Sequence, residues 1–315
     1  MSGLLTFGET LALAASPRAG GLAHATALEL GTGGAESNVA IGVRRLGGRA
    51  TWVGRVGSDP FGTRVLRELR AEDLDVRAVV DDAAPTALLV KERRTADAAR
   101  VWYYRAGSAG SRLAPGDVPD HLVRGADLLH LTGITPGLSA TALEATRQAL
   151  TAAVAADVPV SFDVNHRAAV WLDRDPRPVY RELASAAGVV FAGEDEARLL
   201  TGTRTAEPTA LLEELADVTG GDVVLKLGPD GCLARVDGAS HELPAVPVTV
   251  VDTVGAGDAF VAGYLAETLL GRPPADRLAT AVRCGALVCA STGDWEGLPT
   301  RAELALLDGG EPVTR

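Results

Sequence analysis

Short β-rich runs alternate with longer helical runs along most of the chain. The pattern predicts strands over residues 4–7, 50–53, 128–131, 158–162, 189–192 and 223–227. It predicts helices over residues 37–46, 60–72, 139–155, 257–270 and 275–291. Such alternation is typical of an α/β fold, with a mainly parallel central sheet flanked by helices on both faces. Ligands of these sheets bind beyond the carboxyl ends of the strands.

Two segments interrupt this rhythm. Residues 11–31 are Gly-rich and mix polar with apolar positions, and residues 86–105 contain two β-like runs around a polar turn. Together they predict a small accessory sheet that covers a site as a lid does. The sequence shows no internal repeat and no low-complexity linker, so we expect a single domain over residues 1–315 that carries this β-sheet lid.

Composition narrows the function classes. Among 315 residues, 41 are acidic and 30 are Lys or Arg, which gives a formal charge of −11 and argues against nucleic-acid binding. No uncharged apolar run reaches about 18 residues, so no membrane span is expected. The first 17 residues make a poor signal peptide, and the three cysteines suggest neither a disulfide framework nor a zinc site. We therefore expect a cytoplasmic protein.

The strongest chemical signal is the stretch DTVGAGDAF, which begins at Asp252 after the β-rich run 246–251. Its small residues let backbone N–H groups approach a ligand at a helix N-terminus, which suits phosphate; they are Gly255, Ala256 and Gly257. Asp258 follows them, and a carboxylate there would accept the proton of a hydroxyl that attacks a phosphoryl group. The alternative is an ordinary helix cap behind a Gly-rich turn.

Residues 252–265, DTVGAGDAFVAGYL, resemble the C-terminal signature of the ribokinase (PfkB) family of sugar kinases. Residues 33–62 are similar to its N-terminal signature, and the resemblance covers essentially the whole chain. It implies a ribokinase-like fold and ATP-dependent phosphorylation of a sugar, with Asp258 as general base. The amides of residues 255–257 would then stabilise charge on the γ-phosphate. The sequence contains neither a Walker P-loop nor a dinucleotide fingerprint.

The same resemblance suggests where the nucleotide binds. The segment KLGPDG is similar to the K-x-G-x-x-G turn of the family beside the nucleotide, which implies contacts from Lys226, Gly228 and Gly231. Glu196 matches the glutamate of an N-x-x-E element that helps organise Mg²⁺ through water, although Gly193 replaces its asparagine. Mg²⁺ and ATP are thus the implied cofactors, and some relatives add a monovalent cation such as K⁺.

The lid segment bears on the substrate. Strand alternation places Tyr103 and Arg105 on one face, where an aromatic ring and a guanidinium would hold a carboxylate; a solvated edge strand is the alternative. The runs YYRAGSAGSRL and FDVNHR are similar to segments of 2-keto-3-deoxygluconate kinases. That resemblance implies that Arg167 lies between a sugar acid and the phosphate, and that Asn165 faces the nucleotide phosphates. At Lys91 the resemblance leads us to expect a tyrosine instead.

Four further residues complete the expected sugar site. Gly34 lets the backbone approach the sugar, and Asn38 either bonds its hydroxyls or is simply a polar residue early in a helix. Asp294, in GDWEGLP, is implied to reach the substrate. Asp252 would bind a substrate hydroxyl or belong to a monovalent-cation loop.

The resemblance implies that the substrate is a keto-sugar acid, with 2-keto-3-deoxygluconate, phosphorylated to its 6-phosphate, as the expected one. A kinase of a neutral sugar such as fructose or ribose, or of a nucleoside, remains an alternative, as does a non-catalytic sugar-binding relative. The expected partners are a small-molecule sugar or sugar acid and a second copy of the chain, joined through the lid because exposed strand edges favour pairing. Neither nucleic acid nor membrane is expected.

Overall fold

Two sheets of different size organise the chain, as seen in a computed structural model that describes residues 3–95 and 99–308. Within these residues the strands are, in chain order, β1 (Leu4–Phe7), β2 (Leu11–Ala15), β3 (Glu29–Gly33), β4 (Ala50–Gly57), β5 (Asp75–Asp81), β6 (Leu88–Arg93), β7 (Ala99–Tyr104), β8 (Leu128–Thr132), β9 (Val160–Asp163), β10 (Val189–Gly193), β11 (Asp222–Lys226), β12 (Cys232–Val236) and β13 (Ala239–Leu243). The larger sheet has the order β13-β12-β11-β10-β9-β8-β1-β4-β5. Its pairs are parallel from β5 to β11, and β12 and β13 add an antiparallel hairpin.

Helices cover both faces of the larger sheet, which confirms the predicted α/β architecture. In the described part of the chain they are α1 (Ala35–Arg45), α2 (Pro60–Ala71), α3 (Asp120–Arg124), α4 (Thr135–Leu138), α5 (Ala140–Ala155), α6 (Ala168–Trp171), α7 (Arg177–Ala186), α8 (Glu194–Thr201), α9 (Pro208–Thr219), α10 (Ala256–Leu269) and α11 (Pro274–Cys289). One core packs α5, α7, α8 and α9 against the sheet, and the other packs α1, α2, α10 and α11. None of the helices in residues 3–95 and 99–308 has the length and apolarity needed to cross a bilayer.

The β-rich run 246–251, which precedes the DTVGAGDAF motif, forms no strand. Pro244 and Pro247 lack the N–H that a sheet ladder requires, and Val250 is 61% exposed. The hairpin β12–β13 instead forms the edge of the larger sheet, and an irregular segment leads to α10. A β-rich composition therefore does not produce a strand here, where proline removes the hydrogen bonds.

The smaller sheet has the order β3-β2-β6-β7 and is drawn from both segments that predicted the lid. Strands β2 and β6 pair in parallel, and the other two pairs are antiparallel. The predicted turn between β6 and β7 includes residues 96–98, which lie outside the described residues. The same holds for residues 1–2 and 309–315 of the expected single domain.

Helices α1 and α10 pack closely because Gly42 has no side chain. A Cβ added at Gly42 would lie 2.5 Å from the Cβ of Ala262 in α10 and 3.2 Å from Cδ2 of Leu298. The Cβ of Ala262 is fixed to the backbone of α10 and cannot move away without it. The close contact fixes α1 against α10, and each helix contributes a polar residue to the cavity described below.

We expect Gly42→Ala to lower the free energy of unfolding by about 1–3 kcal/mol, since overpacking outweighs the helix propensity gained by alanine. The measurement is the denaturant midpoint at unchanged slope. Gly116→Ala is the matched control, because a Cβ there meets no atom within 4 Å. A Gly42→Ala protein as stable as the wild type would contradict the packing argument.

Candidate active site

A cavity of about 440 Å³ lies where the strand ends of the larger sheet meet the smaller sheet. Its wall brings together most of the residues that the sequence singles out: Gly34, Asn38, Tyr103, Arg105, Asn165, Arg167, Glu196, Lys226, Gly255, Gly257, Asp258 and Asp294. Four predicted residues are not in this wall: Gly228, Gly231, Ala256 and Asp252. Asp252 instead lines an adjoining cavity of about 450 Å³, which shares Lys91 and Asp294 with the first.

The turn before α10 brings Asp258 into the cavity. Gly255 caps the helix with φ +77°, and a Cβ there would lie 1.9 Å from the carbonyl oxygen of Asp294, so only glycine fits. Asp258 follows in the first helical turn and is 7% exposed. The local sequence therefore forces a carboxylate to the N-terminus of a helix.

Two amides hold this carboxylate. Asn38 Nδ2 donates to Asp258 Oδ2 at 2.8 Å, and Asn165 Nδ2 donates to Asp258 Oδ1 at 3.0 Å. Burial raises the pKa of Asp258, while both hydrogen bonds and the charge of Arg167 oppose that rise. A carboxylate whose pKa approaches the working pH is suited to general-base chemistry.

The two asparagines both bond to Asp258. The sequence left Asn38 as a ligand of sugar hydroxyls or a polar residue early in a helix, and the resemblance implied that Asn165 faces the nucleotide phosphates. In the structure the nitrogen of each side chain donates to Asp258. Asn165 Nδ2 also lies 3.1 Å from Asp163 Oδ2. Its Oδ1 is buried and has no partner among the described residues. That free atom is an acceptor, which suits a hydroxyl or a metal-bound water and not a phosphate oxygen.

Of the three backbone amides that the sequence predicts as phosphate donors, at residues 255–257, one is already used within the protein. The Ala256 amide already donates to the Thr253 carbonyl at 3.3 Å, whereas Gly255 and Gly257 line the cavity. A Cβ added at Gly257 would meet only Lys226 Nζ, at 3.8 Å. The space between the helix N-terminus and this ammonium thus fits a phosphate group.

The two glycines of the KLGPDG turn are there because the backbone conformation of the turn requires them. Gly228 and Gly231 have φ of +58° and +98°, and a Cβ at Gly231 would lie 2.0 Å from the Leu243 carbonyl oxygen. They shape the reversal between β11 and β12 and do not reach the 440 Å³ cavity. Lys226, the last residue of β11, does reach it, and its Nζ lies 2.7 Å from Asp163 Oδ1.

The two arginines of the cavity differ in their charge partners. Arg105 donates from Nε and Nη2 to Oε2 of the buried Glu9, at 2.8 and 2.7 Å, and stacks over Tyr103. Arg167 is exposed and donates to the His166 carbonyl, and in the described part of the chain it has no carboxylate partner. Arg167 is therefore the cavity cation whose charge is not offset by direct pairing.

Two acidic groups, Asp252 and Asp294, lie together with Lys91 along the adjoining cavity. Asp252 forms an ion pair with Lys91 of β6, and its second oxygen accepts from the Val254 amide at 3.2 Å. Burial, together with the charges of Asp258 and Glu296, raises the pKa of Asp294 to about 7, against the opposing charge of Lys91. Lys91 thus takes up the carboxylate that we expected to bind a hydroxyl or a cation.

Glu196 is engaged by backbone amides. Its Oε2 accepts from Gly193 at 2.7 Å and its Oε1 from His166 at 2.8 Å. No group of three His, Cys, Asp or Glu side chains within residues 3–95 and 99–308 is arranged to hold a metal ion. The His166 ring turns to the Tyr180 hydroxyl, at 3.0 Å, and does not line the cavity.

Sequence reasoning missed three buried acids around the cavity. Glu9 pairs with Arg105, Asp163 pairs with Lys226, and Glu36 accepts from Thr132 and Thr135. Asp163 directly follows the predicted strand 158–162, and Glu36 lies inside the N-terminal motif. A charged residue at the end of an otherwise apolar strand was the available signal.

Comparison with known proteins places this geometry in a family. The model of the pfkB family of carbohydrate kinases matches residues 1–301. The chain belongs to the pfkB family of carbohydrate kinases. It is 37% identical over 305 residues to the 2-dehydro-3-deoxygluconokinase of Bacillus subtilis, covering 96% of this chain and 94% of that protein. The kinase is thus an enzyme that phosphorylates a sugar with ATP.

Solved structures agree with this assignment. The PfkB protein from Polaromonas sp. JS666 is 35% identical, with a TM-score of 0.87 and coverage of 96% of this chain and 99% of that one. The fructokinase from Vibrio cholerae O395, in a form bound to fructose, ADP and calcium ion, is 29% identical with a TM-score of 0.85. Those alignments cover 98% of the kinase and 99% of the fructokinase.

The raised pKa of Asp294 predicts a pH dependence of stability. Because this carboxyl titrates near 7 in the folded protein and near 3.8 otherwise, its contribution is fully present below about pH 4 and is lost as the pH rises to about 7. We expect Asp294→Asn to gain stability relative to wild type over that interval, by up to about 4 kcal/mol, and to show no further change above it.

The measurement is the denaturant midpoint of both proteins at half-unit pH steps. Asp173→Asn, an exposed loop carboxylate outside the cavity, is the control for the loss of one charge. A stability difference that does not vary with pH would refute the assignment to Asp294.

Proposed function

We propose that the kinase phosphorylates a six-carbon keto-sugar acid, with 2-keto-3-deoxygluconate converted to its 6-phosphate. The observation that carries this proposal is Arg167, a cation in the same cavity as Asp258 that has no carboxylate partner among the described residues. An unpaired guanidinium suits the carboxylate of a sugar acid. The 2-dehydro-3-deoxygluconokinase relative supports the same substrate class.

Each residue has a distinct task in this reaction. Asp258 accepts the proton of the hydroxyl whose oxygen bonds to the γ-phosphorus, the bond from that phosphorus to the bridging oxygen breaks, and ADP leaves. The amides of Gly255 and Gly257 and the ammonium of Lys226 stabilise the transferring charge. Gly34 and Tyr103 border the space for the sugar.

The cavity also fits Mg²⁺ held largely by water and phosphate. Mg²⁺ keeps several waters and needs few protein carboxylates. The oxygens of Glu196 each accept one amide and retain a lone pair, and Asn165 Oδ1 is free. These atoms would bind metal-bound waters, and the ion would supply charge neutralisation of the phosphates. A requirement for K⁺ stays a prediction. Asp252, which would belong to the monovalent-cation loop, forms an ion pair with Lys91.

A neutral ketose such as fructose is the second candidate. Glu9 offsets the charge of Arg105, which leaves one arginine of the predicted pair for a carboxylate. The fructokinase relative shares the fold over nearly the whole chain. Fructose therefore belongs in every substrate comparison.

We also propose that two copies associate through the smaller sheet, which acts as the lid, in the cytoplasm. Trp102 and Tyr104 of β7 are 40% and 65% exposed, and such aromatic residues are enriched at interfaces. Sedimentation of the purified protein tests this association.

We expect Asp258→Asn to lower kcat by about 10²–10⁴-fold, because the amide cannot accept the proton of the attacking hydroxyl. ATP binding, measured by calorimetry, remains within a few-fold of wild type because Asp258 acts on the sugar hydroxyl. Near-normal turnover of Asp258→Asn would show that the base lies elsewhere.

Substrate class is tested by ADP release with Mg-ATP and a panel of 2-keto-3-deoxygluconate, its galactonate epimer, gluconate, fructose, ribose and adenosine. We expect a preference for the keto-acids, and we expect Arg167→Ala to lose at least about tenfold in kcat/KM for them relative to fructose. Arg204→Ala, an exposed arginine outside the cavity, is the control. An equal loss for acids and neutral sugars would remove the carboxylate role.

A further inference from the structure

We propose that Asp163 is a positioning residue of the kinase, which fixes the amide of Asn165 and through it the carboxylate of Asp258. The inference rests on the proposed role of Asp258 as the base. Asp163 is the last residue of β9 and is 1% exposed, and it does not line the cavity. It therefore acts through its neighbours and not on a substrate.

An unbroken line of hydrogen bonds joins the ammonium to the base. Lys226 Nζ lies 2.7 Å from Asp163 Oδ1, and Asn165 Nδ2 lies 3.1 Å from Asp163 Oδ2 and 3.0 Å from Asp258 Oδ1. Both carboxylates only accept hydrogen bonds when ionised. The Asn165 amide must therefore present its nitrogen to them, which leaves its oxygen free.

The backbone at Asn165 supports a functional constraint. Its φ of +36° is in the left-handed region, which costs energy for a residue other than glycine, and the side chain is 3% exposed. Surrounding bonds must hold it there. The ion pair with Lys226 offsets the charge of Asp163, which a buried site requires.

A purely structural role for the Asp163–Lys226 pair makes the opposite prediction from a positioning role. If Asp163 affects Asp258 only by its negative charge, Asp163→Asn removes a charge that raises the pKa of Asp258, and that pKa falls. The positioning role works through the amide. Lys226 needs an acceptor, so the new amide of residue 163 turns its oxygen to Lys226 and its nitrogen to Asn165.

Asn165 must then rotate its own amide. It presents its oxygen to the new donor, and that oxygen also faces Asp258 Oδ1, where a donor stood before. Asp258 loses a hydrogen bond to its charged form and gains an acceptor, so its pKa rises. The sign of the shift thus separates the two roles.

The experiment is the pH profile of kcat/KM for the preferred sugar in wild type and Asp163→Asn. We expect the acidic limb to move up by about half a pH unit or more. We also expect kcat at pH 7 to fall about tenfold while the KM for the sugar stays within about threefold. An acidic limb that stays or moves to lower pH overturns the proposal.

Asn165→Gly keeps the left-handed backbone without an amide, and it provides a second test if Asp163→Asn folds poorly. In Asn165→Gly the loss of the Nδ2 donor to Asp258 should move the acidic limb to higher pH. The double variant Asp163→Asn/Asn165→Gly should show no further shift to higher pH. A wild-type limb in Asn165→Gly also overturns the proposal. Asp81→Asn, a buried carboxylate paired with Arg55 outside the cavity, is the control for folding and activity.

Failure of the proposed function gives a different result. If Asp258→Asn retains turnover, the base assignment fails, and no acidic limb can be attributed to Asp258. If Asp258→Asn is inactive and the limb of Asp163→Asn does not rise, the base assignment survives and the positioning role of Asp163 is wrong.

Discussion

The site depends on the two hydrogen bonds that side-chain amides donate to the buried carboxylate of Asp258. Asp258 is 7% exposed, and an ionised group there would be unstable without hydrogen bonds to its charged form. Its two donors come from α1 and from the loop after β9, which are far apart in the chain. The fold must therefore bring α1, α10 and the end of β9 to within a hydrogen bond of each other, and the contact between Gly42 and Ala262 is part of how it does so.

Most of the cationic side chains that reach the cavity are paired with carboxylates of the protein itself. The chain is acidic overall, yet Lys91, Arg105 and Lys226 all reach the cavity, each joined to its own carboxylate. Paired cations are held in fixed positions and attract further anions less strongly than free ones. A pocket of this kind favours ligands whose charge matches a particular point, such as the phosphate space beside Gly257, over anions in general.

The sequence was sufficient for the features that depend on short-range pattern. Period-two and helical runs identified six strands of the larger sheet and the helices α1, α2, α5, α10 and α11, but not β5, the β12–β13 hairpin or α7, α8 and α9. The motif around residue 255 identified Asp258, because a left-handed glycine and a helix start are local properties. Hydrogen bonds and ion pairs between residues far apart in the chain could not be predicted from the sequence. Which atom of Asn38 or Asn165 meets Asp258 depends on partners 220 and 93 positions away, and Arg105 was read as free because nothing nearby in sequence shows Glu9.

Two ion pairs join the smaller sheet to segments that line the cavity. Lys91 and Arg105 lie on the two strands β6 and β7 or directly after them, and each pairs with a residue outside the smaller sheet. Asp252, the partner of Lys91, precedes the anion-binding turn by three residues and also accepts the Val254 amide. A displacement of the lid strand that breaks the Lys91 pair removes a restraint on that turn. The smaller sheet is therefore linked through one ion pair to the segment that leads to Gly255 and Asp258, to which we assign phosphate binding and the general base.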